Sequence, residues 1–117
     1  MIVDCAHYRD GRRQLAGTMS PEEAAAVCQS AAGFVWLGLL DPSPDELEST
    51  RESFGLHELA VEDAQSFHLR PKVEQYEDGV HFVVLRTARY VDEREAVEFG
   101  EISMFIGPRF EIGRAHV

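Results

Sequence analysis

Residues 34–40 read Phe-Val-Trp-Leu-Gly-Leu-Leu, and this run decides the fold class because it contains no polar side chain. A strand with one face in water alternates apolar and polar residues, whereas this run is apolar on both faces. Such a strand lies in the interior of a sheet that is covered on both sides. We therefore predict that residues 34–40 form an interior strand, with Leu37 in the core and Trp36 in the core or lining a pocket.

Two helix starts flank this strand in the sequence. Ser20-Pro21-Glu22-Glu23 and Ser43-Pro44-Asp45-Glu46 each place a capping serine before a proline that fits the first helical position. The glutamate three residues after each serine completes a capping box, and Gly33 and Gly55 are typical helix stops. Cys28 lies on the apolar face of the first helix and is expected to behave as a small buried hydrophobe rather than as a reactive thiol.

The rest of the chain predicts a third helix and a series of strands. The helix is expected over residues 56–67 and ends before Arg70-Pro71. A change of apolar phase between Phe99 and Ile102 predicts a β-bulge near Gly100. Helices in the first part of the chain and an antiparallel β-meander in the second part predict an α/β domain of the layered α+β kind. The expected strands are residues 2–8 and 12–16, joined by an Asp10-Gly11 turn, and then 72–76, 80–91 and 97–106.

Composition limits the partners of this domain. The chain has 117 residues, enough for one domain, with 44% hydrophobic and 27% charged residues. Acidic residues outnumber basic ones 21 to 11, for a formal net charge of −10, which disfavours nucleic acid and anionic membranes and favours cations. Cys5 and Cys28 are too few for a disulfide framework. The longest apolar run, residues 31–40, is far shorter than the roughly 20 residues of a membrane helix, and the N-terminus shows no signal peptide.

The C-terminal residues do not fit the pattern of the rest. Phe110 is expected to begin another buried strand, but the chain continues Glu-Ile-Gly-Arg-Ala-His-Val over residues 111–117. This heptapeptide is the translation of a common sequencing adapter, so we expect the natural chain to diverge after about Phe110; the alternative is a genuine short C-terminus. The expected organisation is one domain over residues 1–110 and a non-native tail over 111–117, and no function is drawn from Arg114 or His116.

No catalytic constellation is expected, and the sequence does not indicate an enzyme. His57-Glu58 begins like the helix of a zinc protease, but that motif needs a second histidine four residues after the first. Position 61 is Val, so the zinc interpretation fails. The sequence shows neither a glycine-rich phosphate loop nor a nucleophile elbow.

Asp63 is the residue that points to a site. At about 100° per residue, Leu56, Leu59, Ala60, Ala64 and Phe67 form one apolar stripe of the third helix, with Asp63 near its centre. A carboxylate there is costly unless it is paired or binds a cation. One interpretation is structural: an ion pair with Arg70 or Lys72, or capping of a neighbouring backbone. The other is a metal ion, with Glu62 at the edge of the stripe as a second ligand, because Mg²⁺ takes one or two carboxylates and keeps several waters.

The order of these segments resembles the N-terminal cytoplasmic domain of CorA-type magnesium transporters. The match covers nearly all of residues 1–110, and the stretch over 54–78 is the most specific part. The residues that carry it are Trp36-Leu37-Gly38-Leu39, Glu46-Leu47, Phe54-Gly55-Leu56-His57-Glu58-Leu59-Ala60-Val61-Glu62-Asp63, Arg70-Pro71-Lys72-Val73-Glu74-Gln75-Tyr76-Glu77-Asp78, Phe82-Val83-Val84-Leu85, Val97-Glu98-Phe99-Gly100-Glu101-Ile102 and Phe105-Ile106-Gly107.

The resemblance implies a fold, an activity and a site. It implies a mixed sheet between helical layers, followed by long helices and two membrane helices of a homopentameric Mg²⁺ channel in the cell membrane, which also passes Co²⁺ or Ni²⁺. The family's Gly-Met-Asn motif is missing here, so the chain is expected to be a cytoplasmic fragment that cannot conduct ions alone. The family's regulatory Mg²⁺ site between subunits maps onto Asp63, with Glu62 adjacent, and its partner carboxylate comes from a later helix of the next subunit. Metal binding by the fragment alone is therefore expected to be weak or absent.

Two other functions stay open on the sequence. The chain could be a stand-alone soluble binding or scaffold domain, or belong to a zinc-efflux branch of the same superfamily; a metal-dependent hydrolase ranks last because it lacks a ligand set. The reading frame downstream of Phe110 separates the CorA-type transporter domain from the stand-alone domain. Two apolar segments of about 20 residues with Gly-Met-Asn after the first would decide for a transporter.

Overall fold

A seven-stranded sheet and three short helices make up this protein in the computed structural model, which describes residues 1–14, 17–30, 32–66, 68, 70–76 and 79–116. The strand order is β2-β1-β3-β7-β6-β5-β4. The elements are β1 (Ile2–Arg9), β2 (Arg12–Arg13), α1 (Pro21–Ser30), β3 (Phe34–Leu40), α2 (Pro44–Phe54), α3 (Glu58–Ala64), β4 (Lys72–Gln75), β5 (His81–Val91), a 3-10 turn (Asp92–Arg94), β6 (Ala96–Ile106) and β7 (Phe110–His116).

The predicted interior strand is confirmed. β3 lies between β1, to which it is antiparallel, and β7, to which it is parallel, so the sheet is mixed. Val35, Leu37 and Leu39 are buried, and Trp36 is half-buried on the other face. The Trp36 ring lies so close to β7 that a Cβ on Gly113 would come within 2.8 Å of it. β7 does begin at Phe110 as expected, whereas the non-native origin of residues 111–117 stays a prediction.

The capping signals formed as the sequence predicts. In α2, the Ser43 hydroxyl accepts from the Glu46 amide at 3.1 Å, and Glu46 Oε1 accepts from the Ser43 amide at 3.0 Å. Gly55 ends that helix with φ of +65°, a left-handed conformation that favours glycine. In α1, the Ser20 hydroxyl accepts from the Glu23 amide at 3.1 Å. Asp10 and Gly11 both have positive φ and form the expected tight turn between β1 and β2.

All three helices pack on one face of the sheet. Leu47 of α2 and Ala60 of α3 share a single core with Leu37, Ile112 and Phe105, which the strand register places on one face. The α/β class with a mixed sheet is confirmed, but the described residues contain no second helical layer. The large apolar side chains on the opposite face are half-buried or exposed: Trp36, Val83, Leu85, Ile102, Met104 and Ile106.

The predicted bulge near Gly100 is wrong. The register of β5 with β6 runs without a shift from His81 opposite Ile106 to Val91 opposite Ala96. Phe99 and Glu101 therefore face the same side of the sheet as Phe105. The apolar phase changes because Glu101, a carboxylate, occupies a buried position in that alternation.

The third helix is shorter than predicted and is rotated about its axis. It spans Glu58–Ala64 instead of residues 56–67, and Phe67 lies outside the described residues. Its buried side chains are Ala60, Val61 and Ala64, whereas Leu59 is 59% exposed. The expected stripe through Leu59 is therefore wrong, and Asp63 lies at the edge of the buried face rather than at its centre. None of the described helices is long and apolar enough to cross a membrane.

Candidate metal site at the end of the third helix

Both oxygens of the Asp63 carboxylate are engaged within the chain. Asp63 lies in the last turn of α3, and its side chain is 24% exposed. Oδ1 contacts Nε2 of His68 at 3.1 Å, and Oδ2 accepts a hydrogen bond from Nζ of Lys72. Of the two partners that the sequence allowed, the structure selects Lys72 rather than Arg70. His68 was not foreseen.

A buried clamp fixes His68. Its Nδ1 is 2.6 Å from Oε1 of Glu101, and its backbone amide donates to Oε2 of the same carboxylate at 3.3 Å. The side chains of His68 and Glu101 are only 10% and 5% exposed. Arg86, the cross-strand neighbour of Glu101, donates to the backbone carbonyl of His68. The loop after α3 is therefore tied to the strands β5 and β6.

The electrostatics favour an imidazolium between two carboxylates. Burial acts to lower the pKa of His68, but its hydrogen bonds with Asp63 and Glu101 outweigh burial and raise the pKa above its ordinary value. Partial burial acts to raise the pKa of Asp63, but the hydrogen bonds from Lys72 and His68 outweigh it and lower that pKa. Both ring nitrogens of His68 face carboxylate oxygens, and both can donate only in the protonated ring.

Lys72 connects Asp63 to a second carboxylate. Its Nζ is 3.3 Å from Oε1 of Glu74, whose Oε2 accepts from the Tyr76 hydroxyl at 3.2 Å. The ammonium also lies 5.7 Å from the centroid of the buried Phe82 ring. The hydrogen bond to Asp63 is the main reason that the pKa of Lys72 is raised. The lysine is therefore held by several contacts, each of which favours its charged form.

Glu62 is exposed beside this network. It lines a shallow, open depression on the surface together with Leu59, Asp63, Ser66, Lys72, Glu74 and Tyr76. The structure thus places both metal-site residues suggested by the sequence, Glu62 and Asp63, at one depression and adds Glu74. In the described part of the chain, no group of three or more His, Cys, Asp or Glu side chains is arranged to hold a metal ion.

The donors fit a hard divalent cation that is held through few direct ligands. The depression offers carboxylate oxygens, which Mg²⁺ prefers, and Mg²⁺ usually keeps several of its waters. A cation already lies on the Asp63 carboxylate in the form of the Lys72 ammonium. A metal ion here would take Asp63 as its direct ligand from this chain, with Glu62 or Glu74 bound directly or through water.

Sequence reasoning missed the clamp because its two members are 33 positions apart. One signal was present, since the apolar alternation of β6 is broken at Glu101 and Ser103, which are both buried. A charged group at a buried strand position requires a partner, whereas the buried Ser103 hydroxyl has no hydrogen-bond partner among the described residues. The break in phase therefore marked the buried carboxylate rather than a bulge.

Comparison with known proteins identifies the family. The model of the CorA-like Mg²⁺ transporter protein family matches residues 31–112. The cobalt/magnesium transport protein CorA of Thermotoga maritima is 36% identical over 62 residues, which cover 53% of this chain and 17% of that protein. The chain spans about a quarter or less of the length of the curated relatives that it matches.

Solved structures share the fold over 99% of this chain. The full-length CmaX protein superposes with a TM-score of 0.70 at 19% identity, over 35% of that protein's chain. The soluble domain of CorA from Methanocaldococcus jannaschii superposes with a TM-score of 0.59 at 17% identity, over 42% of that chain. These identities show the fold alone. The family match extends over well more than half of the sequence, and this chain therefore belongs to the CorA-like Mg²⁺ transporter family.

Proposed function

We propose that this chain is the cytoplasmic metal-sensing and gating domain of a CorA-type divalent cation transporter. In the full-length protein it would work as a homopentamer in the cell membrane, anchored by helices that follow this domain, and it would carry Mg²⁺ and also Co²⁺ or Ni²⁺. The domain itself would bind regulatory Mg²⁺ and would not conduct ions. Family membership supports the transporter, and the depression at Asp63 supports the sensor.

The single observation that carries the sensing role is the position of the Asp63 carboxylate. Its Oδ1 is held by the largely buried His68, yet the carboxylate lines a surface depression that is also lined by Glu62 and Glu74. A carboxylate with only a structural role has no need of further acidic neighbours, since like charges repel. Such an arrangement gains from a divalent cation that is shared with an acidic group of a neighbouring subunit.

Regulation would follow from mass action. Mg²⁺ bound between subunits would hold them together and favour the closed channel, because a ligand shifts a population towards the state that binds it better. When internal Mg²⁺ falls, acidic surfaces would face each other without a counter-ion and the ring would loosen. The result is negative feedback on Mg²⁺ influx.

Protection against proteolysis in the full-length protein tests this role. Asp63→Ala should weaken the protection that Mg²⁺ gives and raise Mg²⁺ influx at high internal Mg²⁺. The fold should survive, because Lys72 keeps Glu74 and His68 keeps Glu101; the lost hydrogen bonds cost about 2 kcal/mol. The matched control is Glu52→Ala, which removes an exposed carboxylate of α2.

One result of the Asp63→Ala experiment would refute the sensing role. If Asp63 serves only as a member of an ion pair, Asp63→Ala will leave Mg²⁺ protection per folded molecule unchanged. That result would refute the sensing role and leave the family assignment in place. Protection by Zn²⁺ in place of Mg²⁺ in the same assay would favour the zinc-efflux branch of the superfamily.

A further inference from the structure

The two oxygens of Asp63 are held with very different firmness. Oδ1 is bound by His68, whose ring is 10% exposed and is locked on its far side by Glu101. Oδ2 is bound by Lys72, whose side chain is 30% exposed and, like any lysine, carries its charge on a flexible stem. One oxygen therefore has a fixed partner, and the other has an exchangeable one.

Lys72 can leave Asp63 without losing a partner for its charge. Its Nζ is already 3.3 Å from Glu74 and lies 5.7 Å from the centroid of the Phe82 ring. It is also the only lysine of the chain, whose other ten basic residues are all arginine. A lysine ammonium is a compact single charge on a flexible stem, whereas arginine would grip the carboxylate with two parallel hydrogen bonds. The residue type at this position favours an exchangeable contact.

The charges of the depression match one divalent cation. Glu62, Asp63 and Glu74 contribute three negative charges and Lys72 one positive charge, so the set carries a net charge of −2. A metal ion that approaches Oδ2 meets the ammonium on the same atom. The lysine and the metal ion therefore compete for one oxygen, and the lysine has another carboxylate to move to.

We propose that Lys72 is a built-in competitor that occupies Asp63 when no metal is bound and that a divalent cation must displace. The inference rests on the proposed function, since it sets the threshold of the same metal site. Only molecules with an open carboxylate bind metal, so the apparent affinity falls by the fraction that is open. The sensor would thus respond at a higher Mg²⁺ concentration than its carboxylates alone would give.

Metal binding by the 117-residue protein tests the competition. Mn²⁺ is titrated into ¹⁵N-labelled protein, paramagnetic broadening of the amide signals of residues 62–63 and 72–74 is followed, and Mg²⁺ is added to reverse it. Lys72→Met should bind about tenfold more tightly, the effect of removing one positive charge roughly 5 Å from a divalent cation in a water-like dielectric. Lys72→Arg, which keeps the charge, should bind no more tightly than the wild type. Asp63→Asn should abolish the local broadening in either background.

A second measurement on the wild-type sequence does not depend on how well Lys72→Met folds. Reductive methylation with ¹³C-formaldehyde gives one lysine signal in this chain, besides that of the N-terminus. Added Mg²⁺ should move this signal to the position that it takes in metal-free Asp63→Asn, because the ammonium has left the carboxylate in both cases.

Three results would overturn the inference. The first is equal Mn²⁺ affinity of wild type and Lys72→Met; the second is a lysine signal that stays in place while the Asp63 amides broaden. The third is the lack of local broadening in wild type and Lys72→Met alike even at millimolar Mn²⁺, where weak binding without the neighbouring subunit should still broaden these amides. The proteolysis assay on Asp63→Ala tests the sensing role separately. Failure of the competition by Lys72 can therefore be distinguished from failure of the sensing role of Asp63.

Discussion

Replacing Glu101 by glutamine probes the buried clamp beneath the candidate site with almost no change of shape. Glu101→Gln retains one carbonyl oxygen that can accept from Nδ1 of His68. It removes the negative charge and turns an amide NH₂ towards the backbone amide of His68, which now donates to Oε2. The variant therefore weakens one charge-assisted hydrogen bond and places two donors against each other.

The expected loss is about 2–3 kcal/mol in the free energy of unfolding. A hydrogen bond to a charged group contributes about 1.5–3 kcal/mol, and a buried donor without an acceptor costs about 1–3 kcal/mol. The long 3.3 Å contact of the His68 amide puts the second contribution at the low end. For a domain of this size, each kcal/mol corresponds to a shift of about 4 °C in Tm, so we expect Tm to fall by about 8–12 °C.

Urea and thermal unfolding measure this loss, and Glu98→Gln is the matched control. Glu98 lies on the same strand and pairs with Arg89 at 2.7 Å and with Arg94, and its side chain is 36% exposed against 5% for Glu101. Exposed ion pairs contribute at most about 1 kcal/mol. A loss below about 0.5 kcal/mol for Glu101→Gln, or the same loss for both variants, would refute the clamp.

The pH dependence of stability gives an independent signature of the same clamp. The folded-state pKa of His68 is raised above its ordinary value, so its contribution is fully present below about pH 6.5 and is lost as pH rises through the folded pKa. In Glu101→Gln one of the two carboxylates is gone, so the loss should be smaller and should be complete at a lower pH. Asp63, whose pKa is lowered, acts only in the acid range, where stability falls as its carboxylate is protonated. Identical profiles between pH 5.5 and 8 would contradict the imidazolium.

Further variants and chain length test the rest of the fold. Gly33→Ala should lower stability by about 2 kcal/mol or more, because φ is +114° and the added Cβ would lie 2.4 Å from the Tyr8 carbonyl oxygen; Gly17→Ala, with positive φ but open space, should lose only about 1 kcal/mol in the same melts. Ser43→Ala breaks the capping box of α2 and should cost about 1 kcal/mol, and a loss in helical circular dichroism above the value for Ser49→Ala would confirm it. If residues 111–117 are non-native as predicted, a chain that carries the natural residues there should cover part of the open sheet face and unfold at a higher urea midpoint; equal midpoints would contradict that prediction.

The sequence predicted correctly those elements that depend only on neighbouring residues, namely the helix caps and the interior strand. The serine-proline starts and the glycine stop of α2 act within one or two helical turns, and both formed. The run at residues 34–40 is apolar throughout, which already excludes an edge strand. The third helix was placed less well, because only seven residues are helical and Val61 rather than Leu59 faces the sheet. Packing against the strands, and not the pattern of so short a segment, sets its rotation.

The candidate site also has a part that the sequence predicted and a part that depends on contacts between distant segments. Asp63 could be singled out from the sequence because a carboxylate near apolar helix positions needs a partner, and Lys72 was within reach along the chain. The fixed partner, His68, depends on Glu101, and only the pairing of β5 with β6 brings that carboxylate under the end of α3. The sequence by itself determined the α/β class, the interior strand and the presence of a carboxylate, Asp63, that needs a charged partner. Only the tertiary structure decided which charges satisfy it and that all three helices share one face, because hydrogen bonds and apolar contacts between distant segments form only once the sheet has assembled.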